Sequence, residues 1–293
     1  MTQPPTPAPS RILLATDMSC RCDRALDRAV QLAAQWGAEL VAAHIIDPAE
    51  TRNLRIDHTP MSWLRMPRPI ERMRWRLERD LGTAARDIRV RVEEGEPAAT
   101  LLAIAAQEEC DLIVTGSAGD ASLGRMFIGN TANRLVRGSP LPVLVVHDRP
   151  TAPYRRIVVA TDFSGASLQA LITTGALFPD AALTLFHAYD VPFTGYLDER
   201  RYEEDLRALE KELGTKFLAD ERLDPAVRNH AEVVIEHGTP ERLLGTFVEV
   251  EQVDLTVIGS HGRGAFFDAL IGSTAKRLIE SLEGDLLIVR HRG

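Results

Sequence analysis

The sequence has no apolar run approaching the ~18 residues a helix needs to cross a bilayer; its longest apolar stretches are pieces such as Leu101 to Ala106. That argues against a membrane-spanning helix. Cysteine is scarce as well: Cys20, Cys22 and Cys110 are too few and too unevenly spaced for a disulfide framework or a four-ligand zinc site. Basic charge is in deficit, with 34 Lys and Arg against 42 Asp and Glu for a net charge of −8, and only 5% of residues are aromatic. The chain thus lacks the positive field and the stacking residues of a nucleic-acid binder, and no nucleic acid is expected as a partner. No His-Glu-x-x-His or comparable ligand spacing occurs among the eight histidines, so no protein-held metal is expected. The opening MTQPPTPAPS carries four prolines and neither a positive start nor an apolar core, so it does not read as a signal peptide. Residues 1–10 are expected to form a disordered tail on a cytoplasmic protein.

What the 293 residues do contain is one unit written twice. Arg11-Ile-Leu-Leu-Ala-Thr-Asp17 returns as Arg156-Ile-Val-Val-Ala-Thr-Asp162, and Gly95-Glu-Pro97 as Gly238-Thr-Pro240. Asp111-Leu-Ile-Val-Thr-Gly-Ser-Ala-Gly119 returns as Asp254-Leu-Thr-Val-Ile-Gly-Ser-His-Gly262, and Val143-Leu-Val-Val146 as Leu286-Leu-Ile-Val289. Four matched blocks in one order, at offsets of 145 and 143, indicate a duplication. Two domains follow, over 11–150 and 151–293, with Pro150 and Pro153 punctuating the join. In each copy short β-branched runs alternate with helical patterns, which predicts five strands in a mainly parallel α/β sheet flanked by helices. In the second copy the strands fall near 156–161, 183–189, 232–236, 255–259 and 286–289. Pro97 and Pro240 each read as a first-turn proline behind a capping residue. Residues 1–150 hold 19 basic and 19 acidic side chains, so the second domain, with 15 against 23, carries the whole charge deficit.

Ligands of an open parallel sheet bind at the carboxyl ends of its strands, where strand order reverses. Asp17 and Asp162 end the first strand of each copy, where a carboxylate can accept hydrogen bonds from a ribose or a base; an ordinary turn or helix cap uses the same residue. The loop after the fourth strand is more specific: Gly259-Ser260-His-Gly262-Arg263-Gly, then Gly272-Ser273-Thr274 opening a helix. Glycines there permit close backbone approach and positive φ, and a helix N-terminus with two hydroxyls favours phosphate. A chain-reversing turn is the plainer reading of a lone glycine pair.

The Gly259-x2-Gly262-x9-Gly272-Ser273 spacing resembles the G-x2-G-x9-G-(S/T) signature of ATP-binding universal stress proteins. The Ala-Thr-Asp162 opening, His187-Ala-Tyr-Asp190, Gly238-Thr-Pro240 and the closing Leu-Leu-Ile-Val289 resemble the same family. The resemblance covers nearly the whole chain twice, so the sequence looks like a tandem-type universal stress protein. It implies a Rossmann-like sheet of the adenine-nucleotide alpha-hydrolase type. It also implies an adenine nucleotide, ATP foremost and accompanied by Mg2+, with Asp162 and the Ala188 backbone holding adenine and ribose. Gly259, Ser260, Gly262, Arg263, Gly272, Ser273 and Thr274 would cradle the phosphates. The weaker counterpart in the first copy comprises Asp17, Ile45, Gly116, Gly119, Gly129, Asn130 and Thr131, with Asn130 in the Ser/Thr position and Asp120 where the second copy has Arg263. The resemblance further implies pairing of the two copies through their fifth strands as an intramolecular pseudo-dimer, leaves a homodimer open, and points to a protein partner that the sequence does not name.

The expected function is therefore an ATP-binding regulatory or stress-response protein. No Walker Gly-x4-Gly-Lys-(Ser/Thr) occurs, no strand leads into a Ser-Gly-Gly-rich pyrophosphatase loop, and His44-Ile-Ile-Asp47 lacks the glycine of an adenylating His-Ile-Gly-His. No catalytic residue is assigned. Two alternatives stand beside this reading: slow ATP hydrolysis using His261, Arg263 or Asp268, and an interaction module whose glycine loop is a relic. Cys20 and Cys22 read as inert cysteines at a helix start. The arginine-rich 63–80 segment reads as the second helix of the first domain with its apolar residues, Trp63, Met66, Met73 and Trp75, on the sheet. Contact of this basic amphipathic helix with anionic lipid or a partner, and a flap over the first domain's cleft, are the alternatives.

Overall fold

The computed structural model describes residues 8–20, 22–48, 68–82, 87–117, 128–189, 212–260 and 272–290. They form two compact units, one built on residues 9–117 and 129–151, the other on 152–189, 212–260 and 272–290. The first unit contains β1 (Arg11–Ala15), α1 (Cys22–Trp36), β2 (Glu39–Ile46), α2 (Pro69–Leu81), β3 (Ile88–Glu94), α3 (Pro97–Gln107), β4 (Leu112–Gly116), α4 (Asn130–Gly138) and β5 (Val143–Val146). Its strands lie in the order β3-β2-β1-β4-β5, all parallel.

The second unit repeats the plan with β6 (Arg156–Ala160), α5 (Gly165–Leu177), β7 (Ala182–Tyr189), α6 (Pro225–His230), β8 (Glu232–His237), α7 (Pro240–Val250), β9 (Leu255–Ser260), α8 (Ser273–Ser281) and β10 (Leu286–Arg290). Here the order is β8-β7-β6-β9-β10, again all parallel. The α/β class and the parallel five-stranded sheets are those expected from the alternation of apolar runs and helical patterns. No helix among the described residues is long and apolar enough to cross a membrane.

A parallel strand covered by helices on both faces must be apolar throughout rather than alternating, which is why β1 reads Ile-Leu-Leu and β5 Val-Leu-Val-Val, all buried. Each such side chain contributes roughly 1.5–3 kcal/mol relative to its exposed state. Helix α1 shows the complementary pattern: Cys22, Ala25, Ala29 and Leu32 are buried at one-turn spacing, and Asp23, Arg24 and Asp27 avoid that face, while Arg28 is buried on it and donates to Gln31 Oε1 at 2.6 Å. Helices α3 and α7 stop the same way in both copies. Glu109 and Gln252 adopt left-handed φ of 52° and 51°, and the next amides, of Cys110 and Val253, donate back to Ala105 and Val248 at 2.8 and 3.0 Å. That is a Schellman-type closure without its usual glycine.

Helix α3 is capped by Glu96, whose carboxylate accepts from the Ala98 and Ala99 amides at 3.2 and 2.8 Å. Thr239 holds the same place before α7 but makes no side-chain cap bond, so only one of the two expected caps is made. In α2, Leu77 and Leu81 are buried and the helix packs on β3 and β2. Trp75, expected on the sheet, is instead 73% exposed. Two residues along a helix turn the side chain by about 200°, so burying Leu77 sends Trp75 to solvent. Trp63 and Met66 lie outside the described residues, while 68–80 of the segment considered as a flap belong to α2 and its N-cap, packed on β3 and β2.

Cys22 and Cys110 are buried free thiols and Cys20 is exposed. Burial pushes both buried thiols up to about 11, and the Cys22 thiol donates to Asp17 Oδ1 at 3.1 Å. Iodoacetamide at pH 8 should therefore label Cys20 in the native chain and reach Cys22 and Cys110 only after unfolding, as read by mass spectrometry.

Candidate functional site

In the second unit the strand order reverses between β6 and β9, and a cavity of about 730 Å3 opens at the carboxyl ends of β6, β7 and β9. Its size falls within the range of small-molecule sites. Its walls include Asp162, Ala188, Gly259, Gly272, Ser273 and Thr274, six residues that the sequence motifs and the family resemblance single out across 113 positions of chain. Ser260 is different: it ends β9, is buried, and does not line the cavity. Gly262 and Arg263 lie outside the described residues.

The Asp162 side chain has a divided role. Its Oδ1 accepts from the Ser164 amide at 3.0 Å and lies 3.2 Å from the Ser167 hydroxyl, while Thr161 Oγ1 takes the Phe163 amide at 2.9 Å. These two side-chain turns hold Phe163 at a left-handed φ of 57°, and Ser164 then caps α5 through the Ser167 amide. The turn thus consumes one carboxylate oxygen and leaves the other without a protein partner among the described residues, at the cavity wall. Partial burial pushes the carboxyl's pKa up, but the bonds from Ser164 and Ser167 outweigh it and hold the group below its ordinary value. Asp162 is therefore anionic at neutral pH and acts there as an acceptor.

The first copy builds the same turn. Asp17 Oδ1 accepts from the Ser19 amide at 2.8 Å and from the Cys22 thiol, Thr16 Oγ1 accepts from the Met18 amide at 3.0 Å, and Met18 has φ 57°. In both copies a β2-type histidine braces the turn. His44 Nδ1 lies 2.9 Å from the Thr16 carbonyl and His187 Nδ1 lies 2.7 Å from that of Thr161, which assigns the Nδ1 proton to the carbonyl.

At the opposite wall, Gly272 is the N-cap of α8, with φ −52° and ψ 148° and no side-chain cap bond. Its carbonyl receives the Lys276 amide at 2.9 Å, while the amides of Ser273, Thr274 and Ala275 lack the i−4 acceptor that a helix start never has. Helices α3, α5 and α6 supply a side-chain oxygen at this place, from Glu96, Ser164 and Asp224. Glycine leaves the donors of α8 open to the cavity, together with the positive end of the helix dipole.

Gly259 serves a purpose other than the expected one. It does not adopt positive φ; a Cβ there would stand 2.6 Å from the Ala166 carbonyl oxygen and 2.9 Å from the Ser167 amide nitrogen. The first turn of α5 runs directly against the end of β9, and only a hydrogen fits between them.

Two charged cavity residues escape the sequence reading. Glu241, in the first turn of α7, and Arg277, one turn into α8, form an ion pair across the cleft. Burial pushes Glu241 up, but Arg277 overcomes this and holds the carboxyl below the usual range. The one available signal was the i+4 spacing of Arg277 from Ser273, which a glycine signature does not weigh. Both Asp162 and Glu241 have folded-state values depressed below their unfolded ones. Their contribution is fully present above pH about 4.5 and is lost as pH falls through the folded values. The unfolding midpoint of the chain should accordingly drop between pH about 5 and 3, and the drop should be shallower in Asp162→Asn, as followed by circular dichroism.

In the first copy, Asp17 follows β1, Ile45 lies in β2, Gly116 ends β4, and Gly129 is the N-cap of α4 with Asn130 and Thr131 in the first turn. Gly119 and Asp120 lie outside the described residues. Gly129 makes no side-chain cap bond either. Arg134 of this helix pairs at 2.6 Å with Glu96, the residue that stands where the second copy has the cavity-lining Thr239. The first copy therefore places a carboxylate at a position that is neutral in the second.

A model of the universal stress protein family matches this chain twice, over residues 9–147 and 153–290. The chain belongs to the universal stress protein family. It is similar to a universal stress protein of Mycolicibacterium smegmatis, 32% identical over 199 residues that make up 64% of this chain and 65% of that one. The match thus spans just under two thirds of that relative's length. Among solved structures, a universal stress protein from Archaeoglobus fulgidus superimposes with a TM-score of 0.66 at 20% identity, covering 96% of this chain and 98% of that one. A functionally unknown Pseudomonas aeruginosa protein gives 0.64 at 22%, covering 97% and 93%. At those identities the two structures speak to the fold. The tandem arrangement of two universal stress protein domains, expected from the internal repeat, is what the double family match gives.

Proposed function

We propose that the second domain of this universal stress protein is a receptor for an adenine nucleotide, ATP foremost, and that the bound nucleotide regulates the protein's engagement of a cytoplasmic partner. The observation that carries this reading is the pairing, across one cavity of about 730 Å3, of a half-free carboxylate at Asp162 with an uncapped helix start at Gly272–Thr274. The carboxylate suits the hydroxyls of a ribose or the edge of a base, and the open amides suit phosphate oxygens. Apolar Phe186 and Leu244 and the Ala188 backbone give the base a wall. The donor set fits the phosphates of a nucleotide without a lysine, and Mg2+ would be held mainly by the phosphates themselves.

The first domain is proposed as a modified copy that does not take up nucleotide, because in its sequence Asp120 stands where the second copy has Arg263 and Asn130 where it has Ser273.

Titration calorimetry of the nucleotide-stripped chain with ATP and Mg2+ tests the proposal. The expected result is one site per chain, weakened at least tenfold in Asp162→Ala. Two sites would overturn the assignment of the first domain, and no binding by calorimetry or by a fluorescent adenine nucleotide would overturn the proposal as a whole.

A further inference from the structure

We propose that the solvent face of α2 is a docking surface for an acidic protein segment, with Trp75 as its anchor. Arg68, Arg72, Trp75 and Arg79 follow one another at steps of four, three and four residues, which places them in one stripe on a helix. The stripe lies opposite the buried pair Leu77 and Leu81, and all four residues are exposed, Trp75 at 73%. No ion pair or side-chain hydrogen bond occupies Arg72 or Arg79 among the described residues. Over Arg68–Leu81 five arginines face three acids, Glu71, Glu78 and Asp80, in a chain whose net charge is −8. A local excess of guanidinium groups around one large apolar side chain, on a rigid helix fixed to a sheet, is the composition of a binding hot spot. Its complement is a segment with carboxylates about one helical turn either side of an apolar socket, since Arg pairs with carboxylates in a two-pronged fashion.

Physical considerations select a protein over an anionic membrane. The helix's own apolar face, Leu77 and Leu81, is spent on the sheet, so a bilayer would gain only Trp75 in buried area. A protein partner needs only the stripe from Arg68 to Arg79, about 16 Å long, and can fit the indole in a pocket. The proposal is independent of the nucleotide reading, because none of these residues lines the second domain's cavity.

The test is a selection from a random 12-residue peptide display library on the full chain, counter-selected on the double variant R72E/R79E. Recovered peptides should be acidic with one large apolar residue between carboxylates. The tightest of them, made synthetically, should bind Trp75→Ala at least tenfold more weakly and lose affinity as salt rises. Unfolding midpoints of these exposed-site variants should match the parent. Recovery of no peptides, or of peptides without acid enrichment, overturns the proposal, as does equal binding by Trp75→Ala. Stronger binding to phosphatidylserine vesicles than to any peptide, abolished by R72E/R79E, would assign the stripe to membranes instead. Self-association in sedimentation velocity that disappears in Trp75→Ala would assign it to a second copy of the chain.

Discussion

Gly272→Asp is expected to abolish nucleotide binding while leaving the protein as stable as before, or slightly more so. The backbone at Gly272, φ −52° and ψ 148°, is open to any residue, so the substitution carries no backbone strain. An aspartate at an N-cap accepts from the first-turn amides and is among the best capping residues, better than glycine by a few tenths of a kcal/mol. In α8 it would take the Ser273, Thr274 and Ala275 donors for itself and put a negative charge where a phosphate would sit. Two such charges about 4 Å apart repel by roughly 4 kcal/mol at an effective dielectric constant near 20. A loss of at least a hundredfold in affinity, about 2.7 kcal/mol, is the expected calorimetric result. Gly272→Ala, which adds neither an acceptor nor a charge, should keep most of the affinity. Equal loss in both variants would mean that the glycine matters for space rather than for its uncapped amides.

Gly259→Ala is expected to do the reverse, striking stability first. The new methyl would meet the Ala166 carbonyl at 2.6–2.7 Å and the Ser167 nitrogen at 2.9 Å, all backbone atoms of the α5 start. Backbone cannot rotate aside as a side chain can, so α5 must lift from β9. Overpacking of this kind costs about 1–3 kcal/mol, which for a domain of this size lowers the melting temperature by roughly 3–10 °C. Gly245 supplies the matched control within the same domain. It sits inside α7, and a Cβ there would meet only Leu282 Cδ2 at 4.0 Å. Gly245→Ala should therefore stabilise by about 0.5–1 kcal/mol, because alanine is the better helix residue. Nucleotide affinity in Gly259→Ala should also fall, since the displaced α5 start carries the turn that sets Asp162. A melting temperature unchanged by Gly259→Ala would refute the packing role.

The glycine signature thus joins residues with unrelated physical duties. Gly272 leaves a helix uncapped, and Gly259 lets a helix touch a strand. Both duties leave the same mark on a sequence, the absence of a side chain, and a spacing rule has no means of separating them. The turn at Asp162 shows a related economy: it engages one carboxylate oxygen and leaves the other for the proposed ligand, so the two readings held apart as alternatives in the sequence are compatible in one side chain.

The repeat, the parallel α/β class and the residues that meet at the strand ends were legible in the chain itself. Each rests on local chemistry: continuous apolar runs for buried parallel strands, Ala-Thr-Asp at a strand exit, proline after a cap, glycine before a helix. Those constraints act over a few residues and so are written in consecutive ones. The Glu241–Arg277 pair, the clash waiting at Gly259, the burial of Ser260 and the turning of Trp75 to solvent were decided only by tertiary structure. Each depends on which face of one element meets another distant in sequence. Such contacts follow from helical phase and interatomic distances of a few ångströms, quantities that no run of neighbouring residues encodes.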